Sequence, residues 1–522
     1  MPDSIGQRLN LDFAWRRTKR YNPGRSFVVH PFLRRWVEQD LPGWLQSIRE
    51  RLDVGYQPRE GSPCFIPKPK GMLRKGIILD LRDEVVYTAL LGEFYKAIWE
   101  KVAWSQGGPD MAYKMVEPSE EIEWIENRLS NWKEWTRKSL QLLEQGNRYV
   151  LFTDICNFYD NIDLNLLRSN LSGSNLDSQL VELTMSCLYR WSTPSGRGIP
   201  QGYTASDILS KLYMNSIDLA LKDKGLVHLR YVDDIRVFCA TKHQAKQALA
   251  DLTIGLVKKG LALNVEKTDI LPVEKAREKI AGVSPVIDNL QKEMRNAQGL
   301  EDYAMETEIE EEFRKNPSRV PSAIFETLFH ERFGIADADF DKTLLHYLLT
   351  RLAAVHSPVA VKYCLQMIRD RPDEMDYVLK YLGSVQLDAS DISEITSFMS
   401  SDEAIYDYQL YQIVRWFVDI DRLPDEIISL CRRWAFDRNR QPWLRTYSLL
   451  VLGRVGNEAD LESMEGGYNA ALTKCEKAEI VTCLERMEKT RRNGFYGKVK
   501  GDSDLVLRAI ELAKQGHCLW QT

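Results

Sequence analysis

Apolar and polar residues alternate in a way that divides the chain in two. Leu229-Arg230-Tyr231-Val232-Asp233-Asp234-Ile235-Arg236-Val237-Phe238 reads as an apolar strand, a tight turn with two adjacent carboxylates, and a second strand. Upstream, Tyr149-Val150-Leu151-Phe152-Thr153 is a β-type run that ends in Asp154 and is followed by the aromatics Phe158 and Tyr159. Between them, Gly196-Arg197-Gly198-Ile199-Pro200-Gln201-Gly202 opens a helix-like segment from Ala205 to Lys222. Two further β-type runs, Cys64 to Lys68 and Lys75 to Leu79, flank a turn at Pro69-Lys70-Gly71. Residues 105–148 read as an insertion, with helical periodicity from Ile122 to Leu143 carrying Trp124, Trp132 and Trp135. From about Pro285 strand patterns nearly vanish and one amphipathic helix follows another. Irregularly spaced helix pairs predict an α-solenoid of the HEAT kind. The expected domains are therefore 1–285, α/β with an antiparallel sheet, and 286–522, all-α.

Charge and cysteine usage narrow the function classes. The 522 residues carry a net charge of −5, which excludes a general polybasic nucleic-acid binder. Met1 to Trp104 nevertheless holds 18 Lys and Arg against 12 Asp and Glu, a local basic surplus compatible with phosphate contact. Residues 1–58 mix arginines with aromatics, as at Trp15-Arg16-Arg17 and Arg34-Arg35-Trp36. Such a mixture suits stacked bases or a helical flap packed by its aromatics, the second being favoured. Nine cysteines without metal-type spacing fit a reduced compartment, and Cys475 and Cys483 do not suggest zinc. With no membrane-spanning run and no signal-peptide core, a cytoplasmic protein without membrane partners is expected. The acidic run Glu306 to Glu312 reads as a solvated helix face, and His330, His346 and His356 lack ligand spacing.

The candidate chemistry lies in the carboxylates. Asp233 and Asp234 at a hairpin rim repel unless neutralised, and a hard divalent cation is the usual answer. Asp154 and Asp233 are 79 residues apart, enough for two helices before the chain returns to one sheet. Lys68, Lys70, Arg74 and Lys75 cluster on and beside the other hairpin, where cations can close over a triphosphate.

In this order the motifs resemble those of a reverse transcriptase. Phe152-Thr153-Asp154-Ile155-Cys156-Asn157-Phe158-Tyr159 is similar to the first catalytic motif, Gly198-Ile199-Pro200-Gln201-Gly202 to the second, and Tyr231-Val232-Asp233-Asp234 to the YxDD box. Gly260 to Thr268, with Lys267, resembles the fourth motif. Pro67 to Lys75 and Arg82 to Tyr87 resemble the fingers. The resemblance covers roughly residues 60–285 and implies a fingers-palm fold. It implies RNA-directed DNA polymerisation by nucleotidyl transfer with two Mg²⁺ ions, for which Mn²⁺ can substitute. Asp154 and Asp233 would bridge the ions, Asp234 would be the third carboxylate, and the Ile155 carbonyl would complete one shell. Arg74 and one of Lys68 or Lys70 would bind the dNTP and Gln201 would contact it. Tyr159 would lie beneath its sugar and reject a 2′-hydroxyl, while Phe158 faces away by strand alternation. Lys267 is a candidate proton donor to pyrophosphate or an ordinary surface lysine.

A palm followed at once by helical repeats, with Tyr203 after Gly202 and Asp207 where a proline is common, resembles the bacterial defence-associated reverse transcriptases of the abortive-infection group, AbiK and AbiA among them. That resemblance implies antiphage defence, an RNA or DNA strand or a non-coding RNA as partner, and homo-oligomers, trimeric or hexameric. It also implies priming on a protein hydroxyl, for which Tyr21, Tyr56 and Tyr496 stand near chain breaks. The alternative is a retron or group II intron-type enzyme serving a mobile element.

Overall fold

The computed structural model describes residues 4–21, 27–119, 122–192, 196–301, 305–334, 340–471, 473–516 and 518–520. It divides into two compact units. The first comprises Met1–Val29, Pro42–Cys64 and Gly76–Gly282; the second comprises His30–Leu41, Phe65–Lys75 and Val283–Thr522. No helix of the described residues is long and apolar enough to cross a membrane.

Six strands form among the described residues: β1 Ser62–Pro67, β2 Leu73–Ile78, β3 Tyr149–Asp154, β4 Val227–Tyr231, β5 Asp234–Cys239 and β6 Asp269–Pro272. β1 and β2 make a hairpin, and the others an antiparallel sheet in the order β4-β5-β3-β6. The register of β3 on β5 sets Val150 opposite Phe238, Phe152 opposite Arg236 and Asp154 opposite Asp234. Because side chains alternate along a strand, these six share one face. Val150, Phe152, Leu229 and Phe238 pack there with Trp135 and Leu143 of the helix Arg128–Glu144 and with Ala276 and Ile280 of the helix Val273–Ala281. The helices Thr204–Asp223 and Lys242–Val257 also pack against the sheet.

The segment 105–148, read above as a helical insertion, is thus partly core. Its helix begins only at Arg128, and Trp124 precedes it beside an isolated bridge between Met115 and Ile125. The periodicity from Ile122 overruns the helix start because Trp124 and Ile125, buried outside the helix, continue the apolar pattern.

Among its described residues, the regular structure of the second unit is helical apart from the hairpin segment. Its helices stack in two rows. Lys342–Ala354, Met375–Leu382, Asp407–Asp419, Pro442–Val455, Lys474–Cys483 and Asp504–Gln515 each contact the next, and Val361–Asp370, Ala389–Ser400 and Asp425–Trp434 do the same. Helices two apart in sequence are neighbours in space, which leaves Pro442–Val455 apolar nearly all round and buried from Trp443 to Arg454. The acidic stretch is largely a solvated face, with Glu306, Glu308 and Glu311 exposed, while half-buried Glu310 accepts a hydrogen bond from Arg351 at 2.6 Å and Glu312 one from Arg319 at 2.8 Å. His346 stacks on Tyr377 and meets Glu374 at 2.5 Å. The segment His30–Leu41 docks here, with the Trp36 indole donating to Thr482 at 2.9 Å and Arg508 to Asp40 at 2.9 Å.

Two tyrosines offered as priming candidates are held inside the fold. Tyr56 is buried and donates to Asp83 at 2.5 Å, and Tyr496 is buried and donates to the Val481 carbonyl at 2.8 Å. Gly494 and Gly497 beside Tyr496 are no chain break, since both lie inside the helix Lys489–Val499. The side chain of Tyr21 lies outside the described residues.

Candidate active site

β4 and β5 are joined by Val232 and Asp233 alone, since Tyr231 pairs with Asp234. A two-residue turn of this hand needs a positive φ at its first position, normally met by glycine. Val232 occupies it with φ 59°, a strained conformation for a β-branched residue that costs about 1–3 kcal/mol. The chain holds it there: the Arg230 side chain donates to the Val232 carbonyl at 3.1 Å, and the Ile155 amide donates to the Asp233 carbonyl at 3.2 Å.

The consequence is a carboxylate triad. Asp154 ends β3, Asp234 opens β5 directly opposite, and Asp233 sits on the turn. Carboxylate oxygens of all three lie within 4.8 Å of one another. Asp154 is buried, whereas Asp233 and Asp234 are half-buried. Burial, then the charges of Asp234 and Asp154, push the Asp233 carboxyl up to about 6; burial and Asp154 raise Asp234. Lys267 donates to Asp154 at 2.9 Å. Partial burial pulls its ammonium down, but the bond to Asp154 and the charges of all three aspartates outweigh this and leave it above the ordinary lysine value. Three clustered carboxylates offering only oxygen donors are the donor chemistry of a hard divalent cation.

Asn264 was not singled out from the sequence. Its amide N–H donates to the Asp154 carbonyl at 2.7 Å and its side chain reaches Asp154 at 3.4 Å. Only its place in the Gly260–Thr268 stretch hinted at this. Ile155 is buried beside Leu263 across an isolated bridge.

Tyr159 and Phe158 do not alternate as strand residues. Asn157 turns the chain with φ 44°, and Phe158–Asn161 is a short helix in which both rings are buried and meet edge to face. The expectation that Phe158 points away from Tyr159 therefore fails, because the strand ends at Asp154. The Tyr159 hydroxyl donates to Asp207 at 2.8 Å. Gln201 is half-buried in the turn before Thr204–Asp223. Gly198 has φ 94°, and a Cβ there would meet the Asp160 carbonyl at 3.2 Å, so only glycine suits the close approach. Lys68, Lys70 and Arg74 lie on the β1–β2 hairpin, in the segment that belongs to the second unit; Lys70 and Arg74 are exposed and Lys68 is half-buried.

Beneath the turn lies a buried charge network that the sequence concealed. Arg230 donates to Asp218 at 2.7 and 3.0 Å and pairs with Asp110 at 2.8 Å, while Lys211 donates to Asp110 at 2.7 Å. His228 lies 3.3 Å from Asp218, and all five residues are buried. Burial raises Asp218, but Arg230 and His228 outweigh it and hold the carboxyl below its usual range.

In the second unit His30, Cys475 and Glu479 also come together. Nδ1 of His30 faces the N–H groups of Phe32 and Leu33 at 3.1 and 3.0 Å, so it carries the lone pair, and Nε2–H points to Glu479 at 2.9 Å. A metal on Nε2 would force a proton onto Nδ1 against those two donors. The group is an anchor for the segment from His30 to Leu41.

Residues 109–285 match the family model described as reverse transcriptase (RNA-dependent DNA polymerase). Among curated proteins, Protein YkfC of Escherichia coli (strain K12) is 26% identical over 192 residues, covering 35% of this chain and 46% of that protein. The chain thus spans about half the length of the curated relative it matches. Among solved structures, an apo telomerase from Candida Tropicalis truncated from its C-terminal domain is similar at TM-score 0.30 and 15% identity, over 42% of this chain and 51% of that one. Telomerase from Candida albicans, in complex with a fragment of telomeric RNA, gives TM-score 0.31 and 13% identity, over 69% and 62%. The stretch 109–285 that matches the reverse transcriptase model contains the carboxylate triad, the buried charge network and the sheet that carries them.

Proposed function

We propose that this protein is an RNA-directed DNA polymerase that extends a strand with dNTPs. The observation that supports it is the meeting of Asp154, Asp233 and Asp234 from two strands and a turn within 4.8 Å. These residues would hold Mg²⁺, with the Ile155 carbonyl as a further ligand. When bound, divalent ions supply the positive charge that activates the attacking oxygen and steadies the triphosphate. The chain itself provides the rest. β3 and β5 fix two carboxylates in register, the turn presents the third, and Lys267 holds Asp154 in place while offering a proton near the leaving group. Primer extension on an RNA template with each dNTP is the direct test. Robust protein that adds no nucleotide with Mg²⁺ or Mn²⁺ would refute the reading.

Metal binding has a pH signature. The folded Asp233 value, about 6, lies above the 3.8 of a free aspartate. Stability tied to its protonation is therefore complete at low pH and lost as pH rises through about 6, so the metal-free protein bears a cost at neutral pH. Mg²⁺ relieves that cost and competes with the proton. The rise in melting temperature on adding Mg²⁺ should be several degrees at about pH 7.5 and should shrink toward zero as pH falls below about 6. An increment that is independent of pH across that window would contradict the ligand assignment.

Tyr159 is proposed as the sugar-facing residue. Tyr159→Val should raise the use of rNTP relative to dNTP by about tenfold or more, because the ring no longer fills the space of a 2′-hydroxyl. An unchanged ratio in a folded variant places the discrimination elsewhere.

The wider role proposed is antiphage defence. It is supported by the resemblance to the abortive-infection group and by the two-row helical unit that follows the polymerase domain. Cells carrying the gene should plate phage less efficiently than cells carrying an Asp233→Ala, Asp234→Ala version. Equal plating across a broad phage panel would favour the mobile-element alternative.

A further inference from the structure

Asp207 stands in the first turn of the helix Thr204–Asp223, and its side chain is only 4% exposed. One carboxylate oxygen accepts the Tyr159 hydroxyl at 2.8 Å; the other accepts the Arg128 guanidinium at 2.7 Å. Arg128 is 44% exposed and lies 4.5 Å over the Tyr113 ring. Its own carbonyl accepts the Tyr231 hydroxyl at 3.3 Å, so one residue touches both the Tyr159 network and the strand that leads into the carboxylate turn.

The chemistry of this arrangement goes beyond bulk. Tyr159 is fixed at two points: its ring meets Phe158 edge to face at 5.4 Å, and its hydroxyl is bound to Asp207. Two points set a ring plane where one would leave it free to pivot. The carboxylate that sets the second point is buried and charged, and such a group is costly without a cation beside it. Arg128 supplies that cation from the surface. A phenylalanine at 159 would fill nearly the same volume yet lose the anchor.

We infer that Asp207 and Arg128 are positioning residues for sugar selection: through the Tyr159 hydroxyl they hold its ring in the plane that excludes a 2′-hydroxyl. The inference rests on the reading of Tyr159 as the sugar-facing residue. The specificity of the site then depends on a hydrogen bond and an ion pair as well as on ring size, and is tunable from the exposed Arg128.

Single-nucleotide incorporation by the full-length protein tests it, read as the ratio of kcat/KM for rNTP to that for dNTP. Tyr159→Phe and Arg128→Met should each raise the ratio about three- to tenfold, the range expected for the net loss of one ordinary hydrogen bond, with the change chiefly in KM for rNTP. Arg128→Lys, which keeps the charge but not the fork, should fall between Arg128→Met and the wild type. Thermal melts confirm folding, and Arg128 is exposed enough that its variants should fold. If Tyr159→Val raises the ratio while Tyr159→Phe and Arg128→Met stay at the wild-type value, the positioning role is overturned and the steric reading survives. If Tyr159→Val also leaves the ratio unchanged, both fall together.

Discussion

Asp233→Asn with Asp234→Asn abolishes nucleotide incorporation, by at least about a thousandfold, and leaves the protein folded and more stable than the wild type in the absence of metal. The two effects have one cause. The three carboxylates crowd within 4.8 Å, Lys267 bonds Asp154, and Asp233 is displaced to about 6 by burial and by its neighbours. At neutral pH the folded state must carry that ionised group, at a cost of roughly 1–3 kcal/mol, the upper figure being two pH units of displacement. An amide removes the charge and with it the cost. Loss of activity with a raised melting temperature is the pattern of a site built for a ligand at the expense of the apo fold. The measurement pairs primer extension with thermal melts with and without Mg²⁺. Incorporation near the wild-type rate in the double variant would dismiss the site. Inactivity accompanied by a lowered melting temperature would mean that the triad stabilises the strands rather than straining them.

Asp218→Ala destabilises the first unit by about 3–5 kcal/mol. Asp218 is fully buried and takes both a bidentate hydrogen bond from Arg230 and the His228 contact. Truncation leaves Arg230 with Asp110 alone, which must also answer the Lys211 ammonium. The structure then contains two buried cations against one carboxylate. The damage should extend to function, because Arg230 also bonds the carbonyl of Val232, whose φ of 59° is sustained by its surroundings. Replacing the partners together, as in Asp218→Leu with Arg230→Met, should recover part of the loss, since an apolar pair needs no compensation. Denaturant unfolding followed by hydrogen exchange in β4 and β5 reports the effect. A midpoint shift worth less than about 1 kcal/mol for Asp218→Ala would show that the network is not what secures the turn.

Much of the first unit is legible from local rules. Short apolar β-type runs mark β3, β4 and β5, the Asp-Asp step marks a tight connection, and Gly198 falls where the backbone approaches Asp160 at a positive φ. The errors have a common origin. Strand alternation continued past Asp154 puts Tyr159 and Phe158 on opposite faces, but an αL residue at Asn157 ends the period and starts a helical turn. Trp124 fits a helical period in sequence because a buried aromatic beside a bridge and one in a helix look alike. Tyr56 and Tyr496 near chain breaks looked accessible, yet each donates a hydrogen bond inside the core.

What the sequence determined alone is the local geometry and the kind of chemistry: strand, turn and helix periods, and three carboxylates on elements able to share a sheet. Both follow from interactions over a few residues. Tertiary structure alone decided which groups meet. Asp154 faces Asp234 because of the β3–β5 register, and Lys267 reaches Asp154 from 113 residues away. Asp110, Lys211, Asp218 and Arg230 read as surface charges in sequence, since such residues are seldom buried. They are buried here because each finds an opposite charge from a distant part of the chain, and that pairing has no local signature. The same holds for Arg128, Asp207 and Tyr159, three separate stretches that the fold joins through one carboxylate.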